Sequence, residues 1–373
     1  MKVCHIITGL DVGGAEIALS RLLSSNSNDA CVISLTTIGK IGKDIESMGY
    51  EVFSLNLTVI NFPVVFFRLW RNIKLYNPTI VQTWLYHADF LGGLAAKLAG
   101  VPKIIWGVRT TKLKKGSLIT LIIRKLCSYL SYWVPTSIVV VAEAAKKEHI
   151  KIGYDAKKMI VIHNGFRIER TCVNKKGITN LNKLLPISEN DFVIGCIGRL
   201  SQVKGQDIFI KAAGIVLKQH PYIKFLMVGR GLSNDNQFVV DLIRQHANID
   251  NFVLADERED ISDMLQLMNI FCLPSRSEGF PNALVEAMLS GTPCVSTNAG
   301  DAQLIGGGNV PIARTNDSRD LSKKIILMIE KTNIERERIA LLLQKRAISN
   351  YSISKMCDSY SKLYQKTQSD DRL

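Results

Sequence analysis

Two glutamates separated by seven residues stand out in Ser277-Glu278-Gly279-Phe280-Pro281-Asn282-Ala283-Leu284-Val285-Glu286-Ala287-Met288. Pro281 suits a first helical position, and Gly291 followed by Pro293 marks the stop. Between them Ala283, Leu284, Val285, Ala287, Met288 and Leu289 make the helix apolar on every side, with Glu286 its one charge. Such a helix is expected to be buried, and an unpaired buried carboxylate is costly, so Glu286 needs a partner. Side chains lean toward a helix N-terminus, which aims Glu286 at the loop holding Glu278. Two carboxylates so placed suit hydrogen bonds from vicinal hydroxyls, such as those of a ribose and a sugar. The plainer alternative is a structural ion pair, with Arg276 as the candidate partner.

A second constellation, Gly198-Arg199-Leu200-Ser201-Gln202-Val203-Lys204-Gly205, follows an apolar strand-like run and precedes a helix-period segment, Gln206 to His220. A cation just before a helix start is repelled by the dipole unless an anion lies between them. Lys204 with Arg199 therefore reads as a phosphate site; two solvated surface cations are the alternative. A third, Gly9-Leu10-Asp11-Val12-Gly13-Gly14-Ala15-Glu16, opens the first helix with glycines that let backbone amides approach a phosphate or sugar. It lacks the dinucleotide Gly-x-Gly-x-x-Gly spacing, and a simple tight turn explains it equally well. The fourth is Trp84-Leu85-Tyr86-His87-Ala88-Asp89, past a strand end, where His87 suits acid/base or hydrogen-bonding work or a purely structural role.

These loops need a frame. Short β-branched runs alternate with helical-period segments from end to end, which predicts parallel βαβ units and strands covered on both faces. The pattern lapses into polar residues from Asn164 to Asp191, with Lys175-Lys176-Gly177 inside, and then restarts. The expected fold class is α/β, with two Rossmann-like parallel-sheet domains facing across a cleft. The expected boundaries are 1–168 and 189–353, with a C-terminal helix at 354–373. Ligands of such sheets sit at the carboxyl ends of the strands, where all four constellations fall.

The 373-residue length fits two domains, and the net charge of +14 calls for an anionic partner: a nucleotide diphosphate, a lipid headgroup or nucleic acid. Eight cysteines without Cys-x-x-Cys spacing read as small buried hydrophobes in a reducing compartment, with no disulfide frame or zinc site. The N-terminal apolar run is too short for a signal peptide, and Leu126 to Ala142 is too polar to span a membrane. A cytoplasmic protein is expected, touching at most the inner face of a membrane.

Taken together, the motifs resemble glycosyltransferase family 4, retaining enzymes of the GT-B fold that include bacterial polysaccharide, O-antigen and capsule transferases. The resemblance rests on Gly13-Gly14-Ala15-Glu16, Tyr86-His87-Ala88, Asn164-Gly165, Gly198-Arg199 with Lys204-Gly205, and the Glu-x7-Glu motif at Glu278 and Glu286. It implies an N-terminal acceptor domain, a C-terminal nucleotide-sugar donor domain, and a C-terminal helix returning to the first. Glu286 would hold the donor ribose and Glu278 the hydroxyls of the transferred sugar. Backbone amides at Gly279, Phe280 and Asn282 would line that sugar. Arg199 and Lys204 would neutralise the departing diphosphate, with Gly14 assisting from the other domain, and His87 would sit beside the sugar. One departure is Arg109, where many relatives carry histidine and subgroups read Trp-Gly-x-Arg.

The expected activity is retaining transfer of a hexosyl or N-acetylhexosaminyl group from a UDP- or GDP-linked sugar to a glycan or a polyprenyl-diphosphate-linked acceptor. No Asp-x-Asp stands at a strand end, so no metal and no other cofactor is expected, and Arg199, Lys204 and helix-end amides meet the leaving-group charge. Lys112, Lys114 and Lys115 precede an apolar stripe of Leu118, Ile122, Leu126, Tyr129, Leu130 and Trp133; Val64 to Trp70 is similar. Both suit an anionic membrane surface or packing on the first sheet. An epimerase or phosphorylase on the same fold is the nearer alternative. A nucleic-acid-binding protein is the remoter one, since the basic residues are dispersed and no such motif appears, so nucleic acid is not an expected partner.

Overall fold

The computed structural model describes residues 1–25, 29–58, 60–111, 118–168 and 184–369. The lysines at 112, 114 and 115 and the linker segment 169–183 lie outside them. The chain divides into two compact units, Met1–Phe166 with Ile353–Leu373, and Arg167–Ser352. The fold is α/β, one parallel sheet per unit.

The first unit contains β1 (Lys2–Ile7), β2 (Asp29–Ser34), β3 (Glu51–Ser54), β4 (Ile80–Trp84), β5 (Lys103–Val108), β6 (Ser137–Val140) and β7 (Met159–Val161). Their order in the sheet is β3-β2-β1-β4-β5-β6-β7. The second contains β8 (Val193–Ile197), β9 (Lys224–Val228), β10 (Phe252–Leu254), β11 (Ile270–Leu273), β12 (Cys294–Thr297) and β13 (Ile312–Ala313), in the order β10-β9-β8-β11-β12-β13. The alternation of strand and helix expected from the sequence is present in both units, and the edge strand β13 has only two residues. In each sheet the direction of strand addition reverses once, between β1 and β4 and between β8 and β11. Loops leaving the carboxyl ends of those neighbours diverge and open a crevice, the usual ligand position in this architecture.

Strand alternation sorts the first sheet's side chains into two cores. Cys4, Ile6, Val81 and Trp106 face the helices that supply Val65, Leu69, Leu91, Ala95 and Cys127. Val3, Ile7, Ile80 and Trp84 face Leu19, Leu22, Ile45 and the C-terminal helix Ile353–Ser369, whose Met356, Tyr360, Leu363 and Tyr364 are buried there. Burial of each such side chain contributes about 1.5–3 kcal/mol, so this helix is integral to the first unit's core. In the second unit Phe209, Ala212 and Val216 of the helix Gln206–Leu217 pack on Ile194, Phe225 and Met227.

The two apolar stripes part company. The helix Phe62–Tyr76 buries Val65, Leu69 and Ile73 and exposes Phe62, Val64 and Phe67 on its other side. The helix Leu118–Leu130 buries only Cys127 and Ser128, leaving Leu118, Ile122, Leu126 and Tyr129 exposed, with Trp133 just beyond. The alternative of packing on the sheet thus holds for one face of the former and fails for most of the latter. Six of the described cysteines are buried, Cys357 is half-buried, and all seven are free thiols.

Candidate active site

In the second unit, the loops after β8 and β11 are fastened together before any ligand is considered. Gly205 has φ +71°, and a Cβ there would lie 2.1 Å from the Pro274 carbonyl oxygen, so only glycine lets the loops meet. The Arg276 amide donates to the Val203 carbonyl (2.8 Å), and its guanidinium forks onto Asp207 (2.7 and 2.6 Å). That bond holds the Asp207 carboxyl below the usual range. Arg276, the candidate partner for Glu286, is therefore engaged at the first turn of the helix Gln206–Leu217 instead. Buried Gln206 fixes the preceding loop: its Nε2 donates to the Gly198 and Arg199 carbonyls (3.0 Å each), and its Oε1 accepts from the Ser201 amide (3.3 Å).

Within this frame Lys204 Nζ donates to both Glu278 oxygens, at 2.8 and 3.1 Å. The Glu278 side chain is 7% exposed and that of Lys204 is 31% exposed. The Ser275 hydroxyl donates to the same carboxylate at 2.5 Å, and Thr297 Oγ1 donates to the Ser275 carbonyl at 2.5 Å. The anion that Lys204 requires beside a helix start is thus Glu278, an internal counter-charge that spacing along the chain did not reveal. Arg199 is exposed, and its guanidinium has no partner among the described residues. Lys204 and buried Glu278 thus pair at the β8/β11 switch, and exposed Arg199 stands on the same loop after β8.

The helix carrying Glu286 runs Asn282–Leu289. It is not buried all round: Asn282, Ala283 and Glu286 form a half-buried stripe. Apolar alanine marks such a stripe poorly, which is why the residue types suggested full burial. Pro281 is the N-cap rather than the first helical residue, with φ −76° and ψ 76°. Its neighbours close an inverse γ-turn in which the Asn282 amide donates to the Phe280 carbonyl at 2.9 Å. That amide is already engaged, so any contact of Asn282 with a sugar falls to its side chain. Phe280 is buried, its ring edge-on to Tyr351 at 5.6 Å. Gly279 is half-buried, and a Cβ at Gly300, which has φ +58°, would lie 3.0 Å from the Glu278 carbonyl oxygen.

In the first unit the β1/β4 switch carries the glycine loop and His87. Gly14 is exposed as the first residue of the helix Gly14–Leu23. Glu16 folds its carboxylate back over Gly13, where burial raises its pKa against the pull of nearby backbone amides and Arg109. Leu85 holds φ +76° and ψ 156°, a region costing a branched residue about 1–3 kcal/mol and characteristic of functional turns. The helix starts directly after it, at Tyr86. His87 therefore lies in the first helical turn. It is half-buried, has no side-chain hydrogen bond to another described residue, and burial lowers its pKa. Tyr86 beside it is locked, its hydroxyl 2.7 Å from His149 Nε2 and accepting from Thr110 at 2.8 Å.

Behind this turn lies Asp89, which the sequence did not single out for a role. Its Oδ1 accepts from the Thr83 hydroxyl (2.6 Å) and the Gly107 amide (3.0 Å), while Oδ2 is buried without a partner. Burial pushes its pKa up to about 7. Gln206, Ser275 and Asp207 likewise escaped the sequence reading, because what marks them is contact across loops distant in the chain. Among the described residues no group of three or more His, Cys, Asp or Glu is arranged to hold a metal.

Comparison with known proteins agrees with this architecture. Residues 13–170 match Glycosyltransferase Family 4, and residues 191–331 match Glycosyl transferases group 1. The chain is 27% identical over 330 residues to UDP-Gal:alpha-D-GlcNAc-diphosphoundecaprenol alpha-1,3-galactosyltransferase of Escherichia coli, covering 83% of this chain and 81% of that protein. It is 26% identical over 307 residues to the capsular polysaccharide biosynthesis glycosyltransferase CapH of Staphylococcus aureus, covering 80% and 81%. Anabaena HepE, solved with UDP, superposes with a TM-score of 0.85 at 21% identity, covering 98% of this chain and 100% of that one. The fold is thus GT-B, and the chain belongs to the family 4 glycosyltransferases.

Proposed function

We propose that the enzyme moves a hexosyl or N-acetylhexosaminyl group from a UDP-linked sugar to a polyprenyl-diphosphate-linked glycan during cell-surface polysaccharide synthesis. The observation that carries this reading is the charge cluster at the β8/β11 switch: exposed Arg199, and Lys204 held on buried Glu278. The names of the relatives favour the same substrates, since the Escherichia coli protein is named for UDP-Gal and a diphosphoundecaprenol acceptor, and the Staphylococcus protein for capsule. In this reading the second unit binds donor and the first binds acceptor. An arriving diphosphate competes with Glu278 for Lys204, and Arg199 takes the remaining phosphate charge. Glu278, released on one side and still held by Ser275, accepts the hydroxyls of the sugar, while Glu286 accepts those of the ribose.

As the bond to the leaving diphosphate lengthens, charge grows on its oxygen. Donors already in place there are typically worth a few kcal/mol of barrier each. In the first unit, Gly14 presents an exposed amide at a helix start, and His87, whose pKa burial lowers, offers a hydrogen bond to the acceptor. With cations meeting the phosphate charge, the reaction proceeds without a metal, and the acceptor hydroxyl attacks from the leaving-group face with retention. Thermal shift against UDP- and GDP-sugars tests the donor, because a bound ligand raises apparent stability by mass action. Activity should survive EDTA, and the anomeric proton of the product should report retention. An inverted product would refute the front-face mechanism, and conversion of donor without acceptor would indicate an epimerase.

The exposed face of the helix Leu118–Leu130 favours a lipid-bound acceptor. Leu118 is 76% and Trp133 is 70% exposed, with Arg124 and Lys125 on the same helix. No described helix is long and apolar enough to cross a membrane. This face is proposed to rest on the anionic cytoplasmic leaflet. Flotation with acidic liposomes at low salt should carry the protein, and Trp133→Ser with Ile122→Ser should abolish it; a protein that stays in the dense fraction contradicts the proposal.

A further inference from the structure

Arg109 follows β5, at the carboxyl edge of the first sheet, and is among the buried charged residues at 9% exposure. The groups it touches are neutral. Nη2 donates to Asn164 Oδ1, Nη1 lies 3.5 Å from the Tyr360 hydroxyl, and the guanidinium stacks over the Trp84 ring at 4.9 Å. Among the described residues no carboxylate lies within ion-pair distance of it. Glu16 is the acid whose field reaches it, yet that carboxylate is turned onto the amides of its own helix start. A buried cation with only neutral partners is held at a substantial cost. A planar fork with unfilled donors suits a pair of anionic oxygens, and the diphosphate of the proposed acceptor offers such a pair to the first unit.

We infer that Arg109 is a phosphate-binding residue of the first unit, taking the diphosphate of the acceptor. The identity of the anion's owner rests on the acceptor reading given above, while the anion site itself does not. Trp84 fixes the plane of the guanidinium and Asn164 one edge, leaving the fork oriented at the strand ends beside the β1/β4 switch. The same chemistry could serve the donor's diphosphate instead, and the test separates the two sources.

Calorimetric titration of the full chain would use UDP first, then inorganic pyrophosphate added to the UDP-saturated protein. The expected result is that Arg109→Gln leaves UDP affinity within twofold and weakens pyrophosphate at least tenfold. Arg109→Lys, which keeps the charge and loses the fork, falls between, and Tyr360→Phe, which removes a neighbour without touching the cation, binds as wild type does. Equal pyrophosphate affinity in wild type and Arg109→Gln, or in Arg109→Lys should the glutamine variant not fold, overturns the inference. So does weakened UDP binding in Arg109→Gln, which would assign the residue to the donor, and so does a UDP-loaded wild type that ignores millimolar pyrophosphate. Failure of UDP to bind any variant would sink the donor reading while leaving the comparison at Arg109 intact.

Discussion

The Lys204–Glu278 pair predicts an asymmetry that can be measured. Lys204→Met strands a carboxylate that is 7% exposed, with the Ser275 hydroxyl as its remaining side-chain donor. Breaking a buried pair in this way costs about 3–5 kcal/mol. Glu278→Gln instead leaves an ammonium that is 31% exposed and able to rehydrate, and the amide oxygen still accepts from Ser275. That loss should be about 1 kcal/mol. At about 2–4 °C per kcal/mol for a domain of roughly 150–250 residues, the first variant should melt about 6–20 °C lower and the second about 2–4 °C lower. All four tryptophans, Trp70, Trp84, Trp106 and Trp133, lie in the first unit. Calorimetry or far-ultraviolet circular dichroism must therefore read the second unit, and fluorescence becomes an internal control that should not shift. A Glu278→Gln protein as unstable as Lys204→Met would show that the pair is not governed by the burial of its acid, and the argument for a self-neutralised donor site would fail.

Three other outcomes are expected. His87→Ala should lower kcat/KM about 100-fold with a melting point near wild type, since the ring makes no side-chain hydrogen bond to a described residue; unchanged kinetics would remove it from the site. Gly205→Ala places a Cβ 2.1 Å from the Pro274 oxygen at φ +71° and should destabilise the second unit by more than about 2 kcal/mol, as read by its calorimetric transition. Burial pushes the Asp89 pKa up to about 7 from the 3.8 of an exposed aspartate, so the folded chain keeps a proton that the unfolded chain releases. Its contribution to stability therefore falls as pH rises from about 4 to 7, by up to about 1.4 kcal/mol per unit. Asp89→Asn keeps an acceptor for Thr83 and Gly107 and should gain on wild type over that window in urea melts; a difference independent of pH would contradict the assignment.

The order of elements and the candidate positions for chemistry were legible in the residues themselves. Apolar β-branched runs separated by helical periods specify parallel strands, because a strand covered on both faces needs no polar side. Glycines and charges cluster where strands end, so Glu278, Glu286, Arg199, Lys204, Gly14 and His87 could be picked out. Local sequence could not say which charge meets which. Lys204 and Glu278 are 74 positions apart, and their pairing exists because β8 and β11 are neighbours in the sheet. The same holds for Arg276 with Asp207, and for Arg109, whose isolation from carboxylates is a property of its surroundings. Half-burial of the Glu286 stripe and exposure of the Leu118–Leu130 face were also settled by packing. Apolar residue types set a propensity for burial, but the neighbouring elements decide which face receives a cover.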